Sequence, residues 1–293
     1  MELRNILAAT DFSDNAQRAV ERAALLARQH GATLHLAHVI PTISWTMFGR
    51  ALVEHPLITE KHFYDAAHDR LERVAQDCRT RFGVQVDCHV EIGRADEKIS
   101  ALASRYPVDL TVLGPHDEHF PRNLFVGSTA RRYLHHTRHA ALVSRSEAAS
   151  PYARLLVAVD FSDTARRALQ AAVAIAPDAE IHAMHVYELL FEGKMRYAGV
   201  EQNVIDQYRD AAAAEARQQM HAFLQELGLG TRVQTTVQGG YPAQALLEQA
   251  QRIGADLLVM GRRGRSELDE LFLGSVTENV LLDLDRDLLL VST

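Results

Sequence analysis

The sequence predicts an α/β protein made of two tandem domains, each a five-stranded, mainly parallel sheet flanked by helices. Two observations carry this. Short apolar runs alternate with helical stripes along the chain, the pattern of βαβ units joined by right-handed crossovers. The whole pattern then runs a second time. Ile6–Ser13 (ILAATDFS) returns as Leu155–Ser162 (LLVAVDFS), Leu34–Val39 (LHLAHV) as Ile181–Val186 (IHAMHV), and Val108–Gly114 (VDLTVLG) as Ala255–Gly261 (ADLLVMG). A period of one whole domain is not that of a solenoid. The break falls at Glu147–Tyr152, in a short Ser/Pro-containing linker, giving domains at 1–148 and 152–293.

Each copy opens on a strand, Asn5–Ala9 or Arg154–Val159. Ser13 and Ser162 follow as N-caps, because a serine hydroxyl can take one of the unpaired first-turn N–H groups. The first helix carries one apolar stripe: Ala16, Ala19, Val20, Ala23, Leu26 and Ala27 in the first copy. In the second it is Ala165, Ala168, Leu169, Ala172, Ile175 and Ala176. Gly31 stops the first of these helices. A second strand, a connector and a long helix ending before Gly83 or Gly228 come next. The third strand is predicted at Gln85–Glu91 or Arg232–Gln238. A third helix, a short fourth strand, a glycine-containing loop and a fourth helix lead to the last strand, Ala140–Ser144 or Asp287–Ser292.

The bulk composition limits the function classes. With 293 residues and 47% apolar side chains, two packed cores are expected rather than disorder. A net charge of -7 argues against non-specific nucleic-acid binding and against binding to acidic membranes. No apolar run is long enough to span a bilayer. Cys78 and Cys88 lack metal-type spacing and read as ordinary thiols. The chain starts straight into a strand pattern, so a cytoplasmic location is expected.

The stretch with the clearest chemistry is Met260–Val276, MGRRGRSELDELFLGSV. It runs from a buried strand to a helix N-terminus through Gly261, Gly264 and Gly274. Glycines allow close approach to main-chain N–H groups, and a helix N-terminus favours an anion. The G-x2-G-x9-G-[ST] spacing of Gly261, Gly264, Gly274 and Ser275 resembles the signature of ATP-binding universal stress proteins. The VAVDFSD string at Val157–Asp163 strengthens the resemblance, which covers nearly the whole chain. It implies Rossmann-like domains of the adenine-nucleotide α-hydrolase-like type. It also implies that Ala158, Asp160 and Val186 hold an adenosine, and that Met260, Gly261, Gly264, Gly274, Ser275 and Val276 hold the phosphates and nearby ribose.

The residues themselves support these roles one at a time. Asp160, at the end of a strand, can accept hydrogen bonds from a ribose; equally, it can cap the next helix or brace its own turn. Ser275 sits at or beside the N-cap of the fourth helix, facing an anion. Arg262, Arg263 and Arg265 can clamp phosphates as planar forks, or stand solvated beside Glu267, Asp269 and Glu270. No G-x-x-x-x-G-K-[ST] is present, the first βα turn lacks G-x-G-x-x-G, and no G-x-S-x-G elbow occurs. No residue reads as the activator of an attacking water, so any ATP hydrolysis is expected to be slow and no catalytic residue is assigned.

The first copy departs from the motif. It keeps Gly114, Gly127 and Ser128, but Asp117 replaces the second glycine, Glu118 follows it, and Pro115 removes an N–H donor. This half is expected to bind nucleotide poorly or not at all, which leaves Asp11 a structural role. His116, Asp117, Glu118 and His119 offer metal-type ligands, but His135, His136 and His139 lie roughly 10 Å further along a helix. No metal site is therefore expected, and the later histidines read as a helix end. His35 and His182, with His38 and His185 further along the same strands, read as hydrogen-bonded, half-buried side chains.

Two connectors, Thr42–His55 and Glu188–Val200, are unusually apolar and are expected to bury something: domain or subunit packing, or a small apolar ligand or partner. The final strands are edge candidates. In the family the matching strand pairs with a second domain, so the resemblance implies an intramolecular pseudo-dimer, with a homodimer also plausible. The leading expectation is a stress-response regulatory protein that binds ATP, with Mg2+ a possible companion, and signals through an unknown protein partner. The alternatives are a slow ATPase and a nucleotide-free scaffold or carrier.

Overall fold

In the computed structural model the described residues are 2–42, 60–115, 127–188, 192–264 and 273–292. The chain divides into two compact units, Met1–Pro151 and Tyr152–Thr293. The first runs β1 (Asn5–Ala9), α1 (Asp14–His30), β2 (Thr33–Ile40), α2 (Glu60–Phe82), β3 (Val86–Ile92), α3 (Ala95–Arg105), β4 (Leu110–Leu113), α4 (Ser128–His136) and β5 (Ala140–Val143). Its strands lie in the order β3-β2-β1-β4-β5, with every pair parallel.

The second unit repeats this. It runs β6 (Arg154–Ala158), α5 (Asp163–Ile175), β7 (Glu180–Tyr187), α6 (Glu192–Tyr197), α7 (Gln202–Glu226), β8 (Val233–Gly239), α8 (Pro242–Ile253), β9 (Leu257–Gly261), α9 (Ser275–Asp283) and β10 (Asp287–Val291). The order is β10-β9-β6-β7-β8, again all parallel. The predicted α/β class and five-stranded parallel sheets are therefore present in both units. The third strands begin one residue later than expected, at Val86 and Val233.

The cores follow from the stripes. Every member of the two predicted first-helix stripes is buried. Ser13 and Ser162 cap their helices, each hydroxyl accepting from the N–H three residues on, Ala16 at 3.2 Å and Ala165 at 3.1 Å. Gly31 sits at φ 64°, the left-handed conformation that ends α1 without steric cost. Strand starts are pinned by one carboxylate per unit. Asp109 accepts the N–H groups of Arg4 and Asn5, and Asp256 those of Ala153 and Arg154. Each ties the entry of the first strand to that of the fourth, its neighbour in the sheet. Asp287, fully buried at the head of β10, accepts a 2.6 Å hydrogen bond from the Tyr152 hydroxyl, which offsets the cost of removing the group from water.

The connector at Glu188–Val200 is expected to bury something, in domain or subunit packing or against a small apolar ligand or partner, and its Leu189, Leu190 and Phe191 lie outside the described residues. Its described part forms α6, in which no residue is buried, and Tyr197 is 96% exposed. Ion pairs from Glu192 to Arg209 and Arg196 hold this short helix. The other connector, Thr42–His55, lies outside the described residues apart from Thr42.

Candidate functional site

In each unit the chain reverses direction across the sheet between its first and fourth strands. Parallel sheets open a crevice at such a point, beyond the carboxyl ends of the strands. In the second unit that crevice is a cleft of about 160 Å³ between the ends of β6, β7 and β9. All ten residues singled out from the sequence line it. Ala158 and Asp160 come from the end of β6, Val186 from β7, and Met260 and Gly261 from β9. Arg263 and Gly264 follow in the loop, and Gly274, Ser275 and Val276 form the start of α9.

The lining is chemically mixed. Ala158, Met184, Val186, Pro242, Leu246 and Met260 are its apolar members. Met184, Pro242 and Leu246 were not identified from the sequence. Pro242 and Leu246 belong to α8, whose apolar positions look like any core-facing stripe, and nothing in the sequence says that this helix tip overhangs the crevice. Into the same cleft the N-terminus of α9 opens with Gly274 as N-cap, at φ -64° and ψ 148°. Glycine has no side chain to cap with, and no side-chain cap bond closes the helix start there, so its first-turn amides form an electropositive rim. Ser275 is the first helical residue rather than the cap. The rim is held by the Gly274 N–H donating to the Arg262 carbonyl at 3.1 Å and by the Thr277 hydroxyl donating to the Gly261 carbonyl at 3.2 Å.

The glycines do different jobs. A Cβ on Gly261 would sit 2.8 Å from Thr164 Cγ2 and 3.1 Å from the Arg263 carbonyl oxygen. Gly261 is thus required by the packing of α5 against β9. Gly114 in the first unit is the same: a Cβ there would lie 3.1 Å from the backbone oxygen of Asn15, at the start of α1. Gly264 differs. Among the described residues, its Cβ would meet within 4 Å only the Asp160 carboxylate, with Oδ2 at 3.2 Å. The second glycine of the motif therefore keeps an open space beside an acidic group.

Asp160 does brace its own turn, through one oxygen. Its Oδ1 accepts the Ser162 N–H at 3.1 Å and the Ser162 hydroxyl at 2.5 Å, while Oδ2 is the atom directed at Gly264. Behind it Phe161 has φ 63°, and its counterpart Phe12 has φ 67°. A bulky side chain in the left-handed region is strained and needs its surroundings to hold it. The holding group is the histidine two residues from the end of the second strand. His185 Nδ1–H donates to the Val159 carbonyl at 2.7 Å, and its ring lies 4.3 Å from that of Phe161. His38 Nδ1–H donates to the Thr10 carbonyl at 2.8 Å, with Phe12 again at 4.3 Å. Burial pushes the His38 pKa down, keeping a neutral ring there. These histidines are satisfied structural groups that fix the turn bearing the aspartate, a role the sequence did not reveal.

The matching cleft of the first unit is about 220 Å³ and includes Asp11, Val39, Gly114, Gly127 and Ser128. Asp117, Glu118 and the His116–His119 cluster lie outside the described residues. Among the described residues no group of three or more His, Cys, Asp or Glu is arranged to hold a metal ion. His135 and His136 occupy the last turn of α4. Cys78 and Cys88 are poor nucleophiles: burial pushes both pKa values up to about 12, and Glu72 beside Cys88 adds to its shift.

The model of the universal stress protein family matches the chain twice, at residues 2–145 and 151–292. The chain belongs to the universal stress protein family. It is a tandem member, and several relatives are the length of one of its halves. Universal stress protein YxiE of Bacillus subtilis is 32% identical over 133 residues, 43% of this chain and 90% of YxiE. Universal stress protein MJ0577 of Methanocaldococcus jannaschii is 28% identical over 157 residues, 48% of this chain and 94% of that one. A universal stress protein structure from Archaeoglobus fulgidus DSM 4304 covers 100% of this chain and 99% of its own, with a TM-score of 0.72 and 20% identity, and so shares the tandem fold. Among the described residues no helix is long and apolar enough to cross a membrane.

Proposed function

We propose that this universal stress protein binds ATP or a closely related adenine nucleotide in the cleft of its second unit and uses the bound state to alter contacts with a protein partner in a stress response. The observation that carries the reading is the mixed lining of that cleft. An apolar slot at Val186 and Leu246 suits a base, the Asp160 carboxylate suits ribose hydroxyls, and the amide rim at Gly274 and Ser275 suits phosphates. Arg263, which lines the same cleft, adds a cation on the phosphate side. A magnesium ion would accompany the triphosphate as counter-ion and lower its charge.

Calorimetric titration of ATP against the full chain tests this. Saturable binding that disappears with Asp160→Asn and Gly264→Asp supports it, and a flat isotherm overturns it. Phosphate release followed over hours, in the same samples, separates a binding protein from a slow ATPase.

A further inference from the structure

The first unit carries a cluster of side chains that its twin lacks. It lies near the amino ends of β2 and β3, away from the cleft at the carboxyl ends, and β3 is the outermost strand of that unit's sheet. We propose that His35, Asp87 and His89 form a binding site for a divalent metal ion of the zinc type.

The strands put the three together. Side chains two apart on a strand share a face, and register partners on neighbouring strands point the same way. Asp87 and His89 are two apart on β3, and His35 on β2 is the register partner of Asp87. All three therefore project from one face. His35 Nδ1 lies 3.1 Å from His89 Nε2 and 3.7 Å from Asp87 Oδ2. Two nitrogens on a tetrahedral zinc, each about 2.0–2.1 Å from the ion, stand about 3.3 Å apart, so the imidazoles are already near that spacing.

The surroundings prepare His35 as a ligand. Its Nε2 is 3.3 Å from Asn5 Oδ1, an atom that only accepts, so the ring proton sits on Nε2 and Nδ1 keeps its lone pair. The Tyr106 ring lies 5.1 Å from that of His35 and 4.5 Å from that of His89, a wall beside both imidazoles. The His35 side chain is 5% exposed and that of Asp87 61%, so the cluster opens to water on its carboxylate side, which gives an ion its way in. As the side chains stand, the set is not closed round one point. The two nitrogens face each other across a hydrogen bond, with His89 Nε2–H donating to His35 Nδ1. Closing the set takes two small changes: His89 carries its proton on Nδ1 instead, and the exposed Asp87 carboxylate turns inward. Two imidazole nitrogens and one carboxylate oxygen suit zinc rather than magnesium or calcium, and leave a fourth position for water.

The second unit shows the same framework without these ligands. His182 keeps the place of His35, but Gln234 and Thr236 stand where Asp87 and His89 stand. There Thr236 Oγ1 accepts from Gln249 at 3.4 Å, and His182 Nε2 lies 3.1 Å from Glu180 Oε1. Both departures in the first unit bring in a metal-ligating side chain, on the one face that reaches His35. Core packing asks for neither, since Asp87 is exposed and His89 half-buried. A bound ion would tie the outermost strand to its neighbour.

The test is calorimetric titration of zinc into the full chain, tag-free and freed of metal with a chelator, beside His89→Gln, Asp87→Asn and Asn5→Ala. Wild type is expected to bind one zinc ion at this site. His89→Gln should weaken it by about 100-fold or more, and Asp87→Asn and Asn5→Ala by about tenfold each. Asp87→Asn is isosteric and exposed, so a loss there is not a loss of fold. Zinc at a hundredfold excess over its dissociation constant should raise the melting temperature of wild type by about 5 °C or more and leave that of His89→Gln unmoved. The proposal is overturned if wild type gives no saturable zinc isotherm, or if Asp87→Asn binds as wild type does. It is equally overturned if the wild-type and His89→Gln isotherms coincide, which would put the ion on other histidines of the chain.

Discussion

Replacing Gly264 by aspartate should cripple anion binding in the second unit while leaving the fold intact. The backbone tolerates the change, since Gly264 is not among the glycines at positive φ and, among the described residues, its Cβ would meet nothing but Asp160. With Cβ 3.2 Å from Asp160 Oδ2, the new carboxylate would stand about 4 Å from the existing one. Two like charges at that distance repel by about 1 kcal/mol in water-like surroundings and about 4 kcal/mol near a protein surface. If the repulsion is relieved by turning Asp160 away or by holding a proton, the ribose acceptor is lost; if it is not, the phosphates meet a doubled negative charge. Either way ATP affinity should fall by about fivefold to about 700-fold. The assay is ATP titration of wild type, Gly264→Asp and Gly264→Asn at low and high salt. The asparagine variant adds the same bulk without charge, so it should lose much less, and the Asp–Asn gap should narrow as salt rises. Equal losses for Asp and Asn, or an unchanged isotherm for Asp, would refute the charge reasoning.

Other outcomes follow from the same geometry. Gly261→Ala should destabilise the second unit by about 1–3 kcal/mol in urea unfolding, because its Cβ meets Thr164 at 2.8 Å and cannot shift without moving α5 off β9. Ser162→Ala removes a helix cap and a hydrogen bond to Asp160 together, so it should cost about 1 kcal/mol of stability and also weaken ATP; Asp at 162 should restore the first effect only, and Thr, which keeps the hydroxyl, both. In the first unit His35 Nδ1 lies 3.1 Å from His89 Nε2, and burial lowers both pKa values, with the His35 ring adding to the shift at His89. Folded rings that bind protons more weakly than the unfolded chain contribute stability in full above about pH 6.5, and that contribution is lost as pH falls below it. Unfolding midpoints between pH 7.5 and 5.5 should therefore drop with acid, and less steeply in His89→Gln.

Much of this molecule is legible in its sequence because it repeats. Two copies of the same stripe, Ala16 to Ala27 and Ala165 to Ala176, fix the helix faces, and two copies of the D-F-S string fix the strand ends beneath the cleft. The spacing of Gly261, Gly264, Gly274 and Ser275 points to the loop, and the family resemblance it carries points to Ala158, Asp160 and Val186, which line the same cleft. The remainder depends on properties that side-chain type does not carry. Phenylalanine gives no sign of a left-handed backbone, so the turn at Phe161 and the duty of His185 stayed hidden. Pro242 and Leu246 were lost among ordinary core positions.

The seam between the fourth strand and the first helix bears on how such sequences are scored. Since Gly114 and Gly261 are demanded by a neighbouring backbone and a threonine methyl rather than by any guest, the leading glycine of the pattern reports on the scaffold and will survive in lobes of every specificity. A search profile that weights it heavily will inflate the number of supposed triphosphate binders. The position three residues later, Gly264 in this chain, faces the Asp160 carboxylate instead of the scaffold, and so carries the information about the cleft.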